Sequence, residues 1–216
     1  MTTLTMILPL ALRDTALTVT ELNDEATPSD TFASFRKKCH ELLDRLRDEF
    51  RSAGHSEAIV EDAAYAQCAL LDEVALNRLQ AEDRDAWERE PLQVKEFQSH
   101  HAGEELIARI ERRLAEPQPV VPLLVVFYVV LGLGFQGKFA LEGASARDTL
   151  VRAIDERLER AGVQKASGPI IVTASTTRGL RQLSPSGWVA IALAGAGLVY
   201  VALDRWLAAS IAQLAS

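Results

Sequence analysis

Residues 120–135 read VVPLLVVFYVVLGLGF, sixteen positions without a charge, and whether they cross a membrane or fill a core decides the fold. As a helix the run would reach only about 24 Å, short of a hydrocarbon core of roughly 30 Å. Pro122, Gly132 and Gly134 shorten the usable helix further, and Lys138 follows closely. The run therefore predicts a central helix that neighbouring helices cover on every side. Glu116-Pro117-Gln118-Pro119 stops the chain just before it.

Outward from this run, the preceding chain reads as further helices. Phe32, Phe35, Cys39, Leu42, Leu46 and Phe50 recur at spacings of three and four. A helix starting at an Asp30 or Thr31 cap carries them on one face, and Gly54 ends it. Arg36, Lys37, Glu41, Asp44, Arg47 and Asp48 lie off that stripe and should meet water. Ser56 caps a second helix to about Gln80, where Ile59, Ala63, Ala66, Leu70 and Val74 form a stripe small enough for a close neighbour. Glu82 to Glu90 reads as a charged surface connection, with Trp87 folded back as an anchor and Pro91 closing it. A third helical region covers Leu92 to Leu114 with a break at Gly103. Its packed face is Leu106, Ile107, Ile110 and Leu114, and Arg109, Arg112 and Arg113 are solvated. Residues 1–29 show no sustained periodicity and end in a polar stretch, which predicts a mobile leader.

Beyond the central run, Gly143 and Ser145 precede a last helix from Ala146 to Ala161, with Leu150, Ile154 and Leu158 on its core side. Residues 162–186 hold no Asp or Glu and are rich in Gly, Ser and Thr, as a flexible linker is, with a short extended piece at Ile170-Ile171-Val172. Gly187 to Leu203 carries no charge, and apolar character resumes at Trp206-Leu207, so residues 187–208 are the expected transmembrane helix. Trp188 and Trp206 would stand about 27 Å apart along a helix, one ring at each interface, with Tyr200 just inside the second. Lys165, Arg178 and Arg181 precede the span without acids, which marks that side as cytoplasmic and leaves residues 209–216 as a short periplasmic tail. The span is dense in small side chains. Ala190, Ala194 and Gly197 offer a face for helix–helix packing within the membrane, and so for a homodimer.

Charge and composition exclude several classes of function. Of 53 charged residues only Lys165, Arg178, Arg181, Asp204 and Arg205 lie beyond Ala161, which leaves the first 161 residues with a net charge of -10. So acidic a body repels nucleic acid and suits a protein partner. Cys39 and Cys68 are too few and too scattered for a disulfide framework and read as small buried hydrophobes. The start of the chain has no basic residue ahead of its short apolar run and is not a secretory signal. His100-His101 precedes Glu104-Glu105 without the spacing of a zinc site, so no metal is expected. Gly132, Gly134 and Gly137 spell G-x-G-x-x-G, but a helical run and not a strand comes before them, and no dinucleotide site follows. No catalytic constellation and no cofactor is implied.

Three motifs then carry a resemblance. Ala69-Leu70-Leu71-Asp72-Glu73, Gly103-Glu104-Glu105 opening a helix, and Leu131-Gly132-Leu133-Gly134-Phe135-Gln136-Gly137-Lys138-Phe139 stand in an order and spacing that resemble the DotU/TssL (IcmH-like) proteins. The resemblance covers Phe32 to Ala161, and the C-terminal anchor is where that family places it. It implies an all-α, hook-shaped cytoplasmic domain of two small helical bundles, residues 30–161, on a single helix of the bacterial inner membrane. It also implies a non-enzymatic role in the type VI secretion membrane complex that docks the baseplate of the contractile tail. The implied partners are a large IcmF/TssM-like inner-membrane protein, a TssK-like baseplate protein, a second copy of the chain and, within the complex, a TssJ-like outer-membrane lipoprotein. The sequence departs from the family pattern at Gln136, where an acid is common, and has no peptidoglycan-binding extension after the anchor.

By motif position the resemblance marks Asp72, Glu73, Gln136 and Lys138 as partner-binding residues. Two neighbouring carboxylates on a helix cannot both point into the core, which favours a docking surface at Asp72 and Glu73. The other reading has them cap a loop or pair with a buried arginine. A subunit of the related type IVB machine, or a membrane-tethered enzyme with an unrecognised site, are the alternatives for the whole chain.

Overall fold

The computed structural model describes residues 4–5, 8–23, 32–99 and 102–164. In chain order these form β1 (Leu4–Thr5), α1 (Leu10–Asn23), α2 (Phe32–Ser52), α3 (Glu57–Arg78), α4 (Ala81–Arg89) and α5 (Leu92–Phe97). There follow α6 (Ala102–Leu114), α7 (Val121–Gly132), α8 (Phe139–Glu142), α9 (Ala144–Arg160) and β2 (Val163–Gln164). Apart from the two short strands, which pair in parallel, the described chain is all-helical.

The middle of the molecule is α3, which packs against α1, α2, α4, α5, α6 and α7. Its small residues make this possible: Ala63, Ala64, Ala66 and Ala69 are all buried and let neighbours come close on several sides. The charge-free run forms α7, buried almost throughout from Leu123 to Leu131 as its composition predicts. Among the described residues no helix is long and apolar enough to cross a membrane. The apolar interior divides into two clusters strung along α2 and α3. The larger gathers α7, α6, α9 and α1 around Val60, Tyr65 and Leu70; the smaller holds Phe35, Cys39, Cys68, Leu71, Trp87 and Leu92. Burial pushes the Cys39 thiol up to about 12 and the Cys68 thiol well above its ordinary value, so both stay protonated and inert.

Several expectations are corrected. Within residues 1–29, Leu10–Asn23 is a helix docked on α2 and α3 and not a mobile leader. Its buried stripe is Ala11, Leu12, Thr15, Thr18 and Val19, so two core positions are threonines. Each threonine hydroxyl donates back to the carbonyl four residues earlier, Thr15 to Ala11 and Thr18 to Asp14, which lets a polar side chain sit inside. The Glu49 carboxylate of α2 accepts from the Leu10 and Ala11 amides and so caps the helix from outside. The charged stretch before Pro91 is itself helical, as α4, although Trp87 is the buried anchor expected. The break in the third helical region falls at left-handed Gln98, five residues before Gly103, which lies in the first turn of α6. Val163–Gln164, expected at the start of a flexible linker, is instead a strand paired with β1.

Four of the arginines expected in water are also drawn inward. Arg109 and Arg113 are not solvated: they bind buried Asp62 at 2.8 and 2.6 Å, while Arg112 reaches it at 3.6 Å from a more exposed position. Arg47 is tucked against Glu96 at 2.8 Å, and Arg36 covers the Trp87 ring at 5.3 Å. The linker beyond residue 164, the span 187–208, the tail 209–216, and with them Trp188, Tyr200, Trp206, Ala190, Ala194 and Gly197, lie outside the described residues.

Candidate partner-docking site

Asp72 and Glu73 sit on α3 about 100° apart around the helix, so they serve different segments. Asp72 is only 5% exposed. Its Oδ1 accepts from Trp87 Nε1 at 2.8 Å and from the Leu92 amide at 2.9 Å, and its Oδ2 accepts from the Gln93 amide at 2.9 Å. Those amides open α5, whose own N-cap is Pro91 with no capping side chain. Asp72 thus caps a helix twenty residues away in sequence and fixes the indole that fills the smaller apolar cluster. Burial raises its carboxyl above the usual carboxylate range, against the pull of these three hydrogen bonds and of Arg36.

Glu73 grips a loop. Its Oε1 accepts from the Gln136 amide at 2.9 Å and its Oε2 from the Gly137 amide at 2.8 Å. Burial raises this carboxyl too, opposed by the same amides and by Arg147. On the other side of the loop, Arg147 of α9 donates from Nε to the Phe135 carbonyl at 3.1 Å and from Nη2 to the Leu131 carbonyl. The Phe135 ring is buried beneath. A third constraint is steric. A Cβ on Gly103 would lie 2.8 Å from Gly137 Cα, so α6 and the loop touch backbone to backbone. Gly137 itself has φ of 51°, and a side chain there would strike the Gly103 carbonyl and the Phe135 ring.

The four predicted residues therefore divide. Asp72 and Glu73 both act as caps, as the second reading had it: Asp72 is buried, whereas Glu73 is half-buried at the edge of the loop it holds. Both carboxylates can be drawn inward because neighbouring backbone amides, not water, meet their oxygens. Gln136 is the exposed residue of the set, and Lys138 is half-buried with Nζ 5.8 Å from the Phe139 ring centre. Glu73 holds the loop that carries Gln136 and leads into Lys138, while Asp72 belongs to α5 and Trp87. A groove of about 310 Å³ between α1 and α2, lined by Leu17, Thr18, Lys38 and Leu42 among others, contains none of the four and is a separate feature. Among the described residues no cluster of His, Cys, Asp and Glu could hold a metal; His100 and His101 lie outside them.

Arg147 was missed from sequence. It stands three residues before Leu150 on the stripe that continues to Ile154 and Leu158, and a charge on a core stripe is a mark of an internal partner. Gly103 was noticed as a helix opener, but its close approach to Gly137 has no local sequence mark.

A family model described as the type VI secretion system protein DotU matches residues 8–206. Among solved structures, the type VI secretion protein SciP/TssL of enteroaggregative Escherichia coli is 33% identical with a TM-score of 0.60, covering 76% of this chain and 95% of its own. The cytoplasmic domain of TssL from Acinetobacter baumannii is 28% identical with a TM-score of 0.63, covering 69% and 95%. DotU of Francisella novicida, at 15% identity and a TM-score of 0.52 over 67% and 95%, shares the fold. No curated protein gives a match.

Proposed function

The chain belongs to the DotU family of type VI secretion proteins, and from that premise we propose that it is a non-enzymatic structural subunit of the secretion membrane complex, docking the tail baseplate at the inner membrane. The observation that carries the docking role is the loop between α7 and α8. It is held by Glu73, Arg147 and the Gly103 backbone, yet turns Gln136 outward beside Lys138. A surface so firmly held loses little conformational freedom when a partner binds, which favours affinity. In this reading the contact residues are Gln136 and Lys138, and Asp72 and Glu73 act behind them.

Residues 187–208 would anchor the domain, with Trp188, Tyr200 and Trp206 at the interfaces, the folded domain in the cytoplasm and the C-terminus in the periplasm. A TssK-like baseplate protein would meet the loop. An IcmF/TssM-like protein and a second copy would meet the chain in the membrane, the copy through Ala190, Ala194 and Gly197. A TssJ-like lipoprotein would complete the complex.

The test is Gln136→Ala combined with Lys138→Glu in the full chain. Both side chains lie outside the core, so the melting temperature should hold within a few degrees (about 1 kcal/mol moves a domain of this size by roughly 2–4 °C). Capture of the baseplate protein from membranes, and secretion, should fall at least about tenfold, as loss of a central contact does. Undiminished capture and secretion at equal expression would overturn the reading.

A further inference from the structure

Glu73 and Arg147 hold the same chemical group. The Phe135 carbonyl and the Gln136 amide N–H belong to one peptide unit. In a trans peptide they point in opposite directions, and no cis bond occurs among the described residues. Arg147 Nε binds the oxygen end at 3.1 Å, and Glu73 Oε1 binds the nitrogen end at 2.9 Å. A cation at the negative end of a peptide dipole and an anion at its positive end each strengthen the other's hydrogen bond, as charge-assisted bonds along one chain do. Each charged group holds a second point as well, Leu131 O for Arg147 and Gly137 N for Glu73. The plane can therefore neither flip nor tilt without breaking bonds at both ends.

That plane sets where Gln136 points, because its nitrogen is bonded to the Gln136 Cα. The two clamps come from α3 and α9, elements far apart in sequence, so the direction of Gln136 depends on both helices keeping their places. We infer that Arg147 is a positioning residue for docking: with Glu73 it pins the peptide plane between Phe135 and Gln136, and so aims Gln136 at the partner. The inference rests on the docking role proposed above for this loop.

Hydrogen exchange of the full chain in detergent micelles, comparing Arg147→Ala with the unaltered protein, separates positioning from general stability. The Gln136 and Gly137 amides should exchange at least about tenfold faster, while Leu70 in α3 and Val126 in α7 keep their rates, since a freed loop opens locally. Equal acceleration at all four amides, or no change at Gln136 and Gly137, would overturn the inference. Capture of the baseplate protein supplies the second readout. Arg147→Ala should weaken it, and adding Gln136→Ala to that variant should weaken it little further, because both remove the same aimed contact. Fully additive losses would show that Arg147 acts elsewhere. If Gln136→Ala alone leaves capture intact, the docking role fails while the exchange result still decides whether the plane is pinned.

Discussion

Asp72 and Glu73 are adjacent carboxylates whose four oxygens all accept hydrogen bonds from backbone amides or an indole. Replacing Asp72 by Asn would put an NH2 where an acceptor is needed, leaving two of three donors satisfied at best. At pH 7 this should cost about 1–3 kcal/mol, the usual penalty for a buried unsatisfied group. The pH dependence has a definite sign. Burial raises the Asp72 carboxyl above its ordinary 3.8, so on acidification the folded chain takes up this proton before the unfolded chain does. The residue's contribution to stability therefore grows as pH falls through the raised folded value, is complete below the unfolded value, and diminishes as pH rises. Thermal melts of the unaltered protein and of Asp72→Asn at pH values from 7 to 4 should show the gap widening towards acid. A gap that narrows would mean the carboxyl titrates low.

At the scale of elements, what could be read in advance followed from apolar pattern. The central helix is apolar all round, the α2 stripe from Phe35 to Phe50 and the Leu150–Leu158 face of α9 are hydrophobic at helical spacing, and all three are buried as read. Helix α1 escaped because Thr15 and Thr18 occupy core positions, and their i−4 hydrogen bonds are invisible until the helix exists. The arginines of α6 escaped because Asp62 lies 47 to 51 residues away from Arg109 and Arg113. The site was half legible: its motif residues were found, but which oxygen meets which amide depends on long-range contacts that no local pattern carries. The contact between α6 and the α7–α8 loop is the sharpest case. Gly103→Ala should force α6 back from Gly137, since the added methyl would sit 2.8 Å from Gly137 Cα. Such overpacking costs about 1–3 kcal/mol. The expected outcome is a lower melting temperature together with faster exchange at Gly137, and unchanged values of both would place slack in this contact.

For the molecule as a whole, the two ends of the described chain meet where Leu4 pairs with Val163 and Thr5 with Gln164. Val163 is buried against the larger apolar cluster. A chain stopped after Ala161 loses that side chain and the partner of β1, whereas one stopped after Gln164 keeps both. The longer piece should be more stable by about 1.5–3 kcal/mol, the value of one fully buried valine, measurable as a higher urea midpoint. Equal midpoints would make the strand pair dispensable. The pairing also fixes how the domain bears mechanical load. Tension applied at Gln164 meets two routes at once, the covalent link back to α9 and the hydrogen bonds to β1. Part of that force passes through β1 into the start of the chain, and from there into α1, which Glu49 and Gln67 tie to α2 and α3. Traction on one end of the described chain is thus shared with the other end, and α9 does not carry it alone.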